Sequence, residues 1–228
     1  MSKYGFVKIE RDFIQSIPDA NEPIVHHDTS LPQTELARKV LQFAESQLST
    51  PTLNHSLRVY LYSKAIIKDQ FPDWDLDEEV IFVTALLHDL GTTDENLKAT
   101  KMSFEYFGAI KARELVLKET NGDQDYADAV CEAIIRHQDL NDKGYITQLG
   151  LIIQISTVLD NAGFDSVSSL IHSDTLKVVN ERYNRDNWLN CFAGVVQKEN
   201  VLKPWGHTSS LGVEEFPANV LKNPLHYT

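Results

Sequence analysis

The chain has 228 residues, 42% of them hydrophobic and 24% charged, with 33 acidic against 21 basic side chains and a formal charge of −12 at pH 7. That length and composition suit one soluble globular domain with a core large enough to stand without disulfides or a structural metal. The acidity argues against the classes that work through a basic surface, because nucleic acid and anionic membrane gain little from such a chain; a small-molecule partner is the class left open.

The elements follow in chain order. Residues 1–31, punctuated by Pro18 and Pro23, read as an irregular N-terminal arm. Residues 32–228 read as one helical catalytic domain, irregular from about residue 204. A first helix is expected near 33–48 and a second from Thr50-Pro51 to about Gln70, with proline suited to a first turn where its missing N–H has no partner to lose. On the second helix His55, Val59, Tyr62 and Ile66 share one face by their i, i+4, i+7, i+11 spacing. Asp77 caps a third helix that leads to His88-Asp89, with Gly91 as its C-terminal stop. Ser103 opens a fourth, and a fifth from about Asp125 brings Tyr126, Val130, Ile134 and His137 onto one face. Asn141-Asp142-Lys143-Gly144 signals a turn. Thr147 caps an apolar sixth helix over Leu149 to Asn161 that stops at Gly163, and two amphipathic helices follow near 173–184 and 187–201. Strand-like alternation is nearly absent, so the fold class is all-α.

The two cysteines, Cys131 and Cys191, suggest neither a disulfide framework nor a thiolate metal site, and a reducing compartment follows. With no secretory leader and no long apolar run, the expectation is a cytoplasmic protein, a nuclear share left open, without a membrane partner. A homo-oligomer is also left open.

Chemistry concentrates in His55, His88-Asp89, His137 and Asp160, residue types that hold hard or borderline divalent cations. Each has a plain alternative: His55 as a hydrogen-bonded core histidine, His88-Asp89 as a chance dipeptide, Asp160 as a polar helix end. The weight lies in the combination, since helical bundles build metal sites from inward positions on separate helices. A carboxylate at the position of Asp160 is also opposed by the negative end of its helix dipole, which an added cation relieves. His137 can titrate near neutrality and is placed to donate a proton or to orient a reactant. Thr157, one turn before Asp160, either contacts substrate or bonds back to its own helix. Asn161 and Asn54 neighbour the candidates and read as orienting groups. Lys101 is either an anion-stabilising group or a solvated lysine. Trp205 and His207 either close a pocket or cover an edge of the core.

Longer segments surround these residues: Asn54-His55-Ser56-Leu57-Arg58-Val59, Leu86-Leu87-His88-Asp89-Leu90-Gly91-Thr92, Glu132-Ala133-Ile134-Ile135-Arg136-His137-Gln138-Asp139 and Lys203-Pro204-Trp205-Gly206-His207-Thr208. With them the chain resembles the HD-domain superfamily of metal-dependent hydrolases and, within it, the fungal cyanamide hydratases, from about residue 35 to 210. The resemblance implies a helical bundle of the HD-domain type that hydrates cyanamide to urea, a metal-bound hydroxide adding to the nitrile carbon. It implies one zinc ion, with iron as the second candidate, held by His55, His88, Asp89 and Asp160. Within that scheme Asp89 and His137 are the catalytic groups; His137, Thr157 and Asn161 contact a small nitrile substrate. His137 has a rival role as a fifth ligand. Two metals are disfavoured, because His172 falls in a polar helix start. The alternative is a nucleotide or phosphate-ester phosphohydrolase, which needs a basic cluster where only Lys98, Lys101 and Arg136 lie near the motifs; a non-enzymatic sensor is the third reading.

Overall fold

The structure is a computed structural model that describes residues 2–11 and 20–227. Eleven α-helices among the described residues confirm the all-α class. They are α1 (Glu35–Gln47), α2 (Thr50–Gln70), α3 (Glu78–Leu87), α4 (Asp94–Ala99), α5 (Phe104–Glu119), α6 (Gln124–Arg136), α7 (Gln148–Ala162), α8 (Asp165–Ser168), α9 (Ser173–Arg182), α10 (Trp188–Leu202) and α11 (Glu215–Val220).

The long helices start and stop where short polar residues satisfy the unpaired backbone groups of their ends. Ser49 accepts from Thr52 N and Asp77 from Glu79 N, and Thr147 accepts from Gly150 N. Gly163 closes α7 at φ 60°, the left-handed conformation that glycine reaches at no steric cost. Helix α3 is buried on every side from Val80 to Leu87, which makes it the central element rather than an amphipathic surface helix. α2 and α7 pack against it and against each other. A second, smaller apolar cluster joins α10 to α11 through Trp188, Leu189, Phe192, Ala193, Val196 and Val220.

Several expectations are corrected. Gly91 does not stop α3: that helix ends at Leu87, His88 keeps right-handed angles, and Gly91 lies inside a 3-10 turn over Leu90–Thr92. Its reason is close approach. A Cβ on Gly91 would lie 2.0 Å from the Phe104 carbonyl oxygen, and one on Gly108 would lie 2.7 Å from Gly91 N, so two glycines let this turn lie directly against α5. The tail beyond Pro204 is not irregular, because it holds a 3-10 turn (His207–Leu211), α11 and a final turn (Pro224–Tyr227). Nor is the arm wholly irregular. Strand β1 (Lys8–Glu10) pairs antiparallel with β2 (Tyr145–Thr147), Lys8 opposite Thr147, while residues 12–19 lie outside the described residues. Elements of three to six residues carry too little pattern to be read as periodic.

Arg11 continues from β1 into the loop 138–144. Its guanidinium pairs with Asp139 Oδ2 at 2.8 Å and donates to the Asn141 and Asp139 carbonyls. Gln154 of α7 holds the same loop, donating from Nε2 to the Arg136 and Asp139 carbonyls at 3.1 and 2.7 Å. No helix among the described residues is long and apolar enough to cross a membrane.

Candidate metal centre

α2 presents His55 toward α3, whose C-terminal end delivers His88 and Asp89. The turn after α3 holds Asp89 at φ −98°, ψ 13°, in the sparsely populated bridge region that active-site residues frequent. The result is three converging atoms. His55 Nε2 lies 3.1 Å from His88 Nε2, and Asp89 Oδ2 lies 3.6 and 3.4 Å from the two imidazole nitrogens. Ligand atoms bound tetrahedrally at about 2.0–2.2 Å from one ion sit roughly 3.4 Å apart, so these three residues could hold a metal.

Protonation makes the case stronger. His88 Nδ1 lies 2.7 Å from the Ala85 carbonyl, and a carbonyl only accepts, so the proton is on Nδ1 and Nε2 carries a lone pair. His55 Nδ1 likewise donates, 2.6 Å from Asp160 Oδ2. Burial drives both imidazoles down to about 4, which keeps them neutral at physiological pH. Two nitrogen lone pairs therefore face each other beside a carboxylate, with no proton between them. Both oxygens of buried Asp89 lack a hydrogen-bond partner, and burial raises its pKa. A divalent cation answers all three groups at once.

Asp160, the fourth expected ligand, stands behind His55. It falls outside the converging group, with its oxygens engaged elsewhere. Arg58 donates from Nε to Oδ1 at 2.9 Å and from Nη2 to Oδ2 at 2.7 Å, and Arg185 Nη1 donates to Oδ1. Burial opposes its ionisation, but Arg185 and Arg58 together outweigh that and hold its pKa well below the usual carboxylate value. Arg185 also donates to the Asp160 carbonyl at 2.6 Å, as does Asn223 at 2.9 Å. The cation relief expected at this helix end is thus supplied by two arginines. Asp160 in turn fixes the His55 tautomer, the usual arrangement behind a metal-binding imidazole. Trp188 stacks on the other side, its ring 4.0 Å from that of His55, and donates to Asn161 Oδ1 at 3.0 Å.

Arg58, Arg185 and Trp188 were not singled out from sequence. Arg58 carried a usable signal, three residues after His55 and so on the same helical face. Arg185 lies in the loop between α9 and α10, where no periodicity points inward.

A cavity of about 150 Å³ lies past His137, and none of the three converging residues is in its lining. His137, Thr157 and Asn161, the three expected substrate contacts, line it together with Gln138 and a mostly apolar wall that includes Leu140, Val158 and Phe164. His137 stands edge-on to His88, ring centres 5.1 Å apart, outside the converging group. Its Nδ1–H donates to the Ile134 carbonyl at 2.6 Å, and burial pushes its pKa down to about 4, so Nε2 is an acceptor. Thr157 does bond back to its helix, donating to the Ile153 and Gln154 carbonyls at 2.9 and 3.0 Å; its oxygen lone pairs are still available.

The remaining candidates lie elsewhere. Asn54 binds Asn184 at the protein surface. Lys101 is exposed, and its carbonyl accepts from Trp205 Nε1 at 2.9 Å. Trp205 is 63% exposed, and His207 pairs with Glu105 at 2.8 Å. The tail does wall the cavity, but through Leu211, Phe216 and Asn219. His172 caps α9 by accepting from Asp174 N.

Comparison with known proteins agrees with this geometry. The HD-domain family model matches residues 52–162, a span that contains His55, His88-Asp89, His137 and Asp160. Cyanamide hydratase DDI2 of Saccharomyces cerevisiae is 57% identical over 227 residues, covering 100% of both chains. Cyanamide hydratase DDI3 of the same yeast matches to the same extent. The chain belongs to the cyanamide hydratase family of HD-domain proteins.

The buried histidines of this HD-domain centre predict an acid-sensitive metal-free protein. An imidazole near 6.5 in the unfolded chain and about 4 in the fold takes up its proton first on unfolding as the pH falls. The stability it contributes is complete above about 6.5 and is lost as the pH drops toward 4, at about 1.4 kcal/mol per pKa unit for each group. Thermal melts of metal-free protein between pH 7 and 4.5 should show a progressive fall in melting temperature, and a flat profile would contradict the neutral assignments.

Proposed function

We propose that the chain hydrates cyanamide to urea at a metal held by His55, His88 and Asp89, with zinc the first candidate and iron the second. The observation that carries the reading is the convergence of two imidazole lone pairs and an unpartnered carboxylate, with His88 in ring contact with His137 of the neighbouring cavity wall. The full-length identity to two yeast cyanamide hydratases supports the substrate. Asp160 enters the proposal as the carboxylate that orients His55, rather than as a fourth ligand.

A divalent cation held by His55, His88 and Asp89 would lower the pKa of water from 15.7 to about 7 and so would supply hydroxide near neutrality. The chain's own groups then manage protons and position. Neutral His137 offers the Nε2 lone pair, so it receives the proton released from the attacking water and returns it to the nitrile nitrogen. The unpartnered Asp89 oxygen shares the first of these tasks. The C–O bond forms as one C≡N π bond breaks, giving isourea, which tautomerises to urea. Thr157 Oγ1, its hydrogen committed to the helix backbone, accepts from the substrate amine. Asn161 Oδ1 is occupied by Trp188, which leaves its Nδ2 to donate.

The phosphohydrolase alternative finds no support in the cavity, whose lining among the described residues includes neither lysine nor arginine. Arg58 and Arg185 are committed to Asp160, and Arg136 to Glu132 and Asp139.

The test is urea formation from cyanamide by purified protein loaded with zinc or with iron. His137→Ala should retain metal and lose roughly 100- to 10,000-fold in kcat. Absence of metal-dependent turnover in either form would sink the proposal, and loss of metal from His137→Ala would move that residue into the ligand set.

A further inference from the structure

Trp188 opens α10 and is 1% exposed. Its indole lies flat on the imidazole of His55, ring centres 4.0 Å apart and planes 12° from parallel. Phe192, one turn later on the same helix, stacks on the indole at 5.3 Å. The indole N–H donates to Asn161 Oδ1 at 3.0 Å. One rigid side chain therefore touches both a member of the converging group and a member of the cavity wall.

Each contact fixes something that the neighbouring bonds leave open. The Asp160 hydrogen bond sets where His55 Nδ1 points, but a single bond leaves the ring free to rock about it. A flat aromatic face against the imidazole removes that tilt and keeps the Nε2 lone pair on one line. The amide of Asn161 has two ways round, with oxygen or nitrogen toward the indole. An indole N–H only donates, so the oxygen faces Trp188 and Nδ2 is turned away from it. Nδ2 has no partner among the described residues and is not sealed in the interior, which presents a donor at the wall of the cavity that Asn161 lines. A nitrile nitrogen and a urea oxygen are both acceptors.

We propose that Trp188 is a positioning residue with two separable tasks. Its ring face holds His55 in the plane from which Nε2 meets the metal, and its N–H holds Asn161 as a hydrogen-bond donor to substrate. The first task concerns metal binding alone; the second rests on the reading of the site as a cyanamide hydratase.

The experiment uses full-length protein and separates the tasks by substitution. Trp188→Phe keeps an aromatic face and removes the N–H, whereas Trp188→Leu removes both. Zinc titration of the metal-free proteins is set beside cyanamide kinetics of the zinc-loaded ones, with Asn161→Leu alone and combined with Trp188→Phe. Trp188→Phe should bind zinc within about twofold of wild type and raise the KM for cyanamide about three- to tenfold with kcat unchanged, the signature of a lost binding contact. In the Asn161→Leu background it should add nothing further. Trp188→Leu should raise KM to the same extent and also weaken zinc binding about tenfold. Trp188→Met serves the same comparison if the leucine variant folds poorly. The second task is overturned if Trp188→Phe leaves KM at the wild-type value, or if its effect persists in the double variant, which marks a packing role. The first is overturned if the ring-free variant binds zinc as tightly as Trp188→Phe does. Wild type that forms no urea removes the cyanamide hydratase reading and the second task with it, and the zinc titrations then decide the first on their own.

Discussion

Asp89→Ala is expected to strip the protein of its metal and to lower urea formation on the order of a thousandfold or more, because the group that supplies hydroxide leaves with the metal. Asp89 brings the one anionic charge among the three converging atoms, and both its oxygens are buried without partners. Without it two neutral imidazoles face each other at 3.1 Å, a poor site for a divalent cation. The same change carries an opposite signature in the metal-free state. Removing an unpaired buried carboxylate relieves a desolvation cost, so metal-free Asp89→Ala should melt no lower than metal-free wild type. Elemental analysis and paired melts test both halves. Full metal content in the variant would remove Asp89 from the ligand set, and a lower melt would mean that its carboxylate has a structural partner.

Arg58→Met is expected to cost about 3–5 kcal/mol of stability, as breaking a buried ion pair does when one charge is left behind. For a chain of this size that is a fall of roughly 10 °C or more in melting temperature. Asp160 would lose two of its charge-assisted bonds and keep those from Arg185 and His55. Arg58 Nη1 also donates to the Tyr183 and Asn184 carbonyls at 3.2 and 2.8 Å, so the loop that carries Arg185 would loosen as well. Because Asp160 orients His55, metal affinity should fall by about 10- to 100-fold. Arg58→Lys should not restore it, since an ammonium cannot span two carboxylate oxygens as the guanidinium fork does. Denaturation and metal titration of both variants check this; a melting temperature within two or three degrees of wild type would contradict it.

Much of this was legible in the chain. The long helices declare themselves through short polar caps at Ser49, Asp77 and Thr147 and a glycine stop at Gly163, and the histidine face of α2 follows from its spacing. Asp160 shows both the reach and the limit of such reading. The helix dipole called for a positive charge beside it, yet nothing along the chain said that Arg58 and Arg185 stand there. Arg185 is brought in by a loop, and Trp188 reaches His55 only once α10 has docked, so both depend on tertiary packing. Gly91 was misassigned because a glycine after a helix is usually a stop, whereas its contact with Gly108 appears only when α5 is in place.

The pairing of Lys8–Glu10 with Tyr145–Thr147 changes what counts as the smallest working unit. β2 ends at Thr147, the cap of the helix that carries Thr157, Asp160 and Asn161, and Arg11 next to β1 holds the loop that contributes Leu140 to the cavity wall. A chain trimmed to begin at residue 32, where composition alone draws the border, would keep every proposed ligand. It would also release one rim of the cavity that His137 lines. In laboratory handling, the leading residues belong with the working enzyme rather than with its packaging.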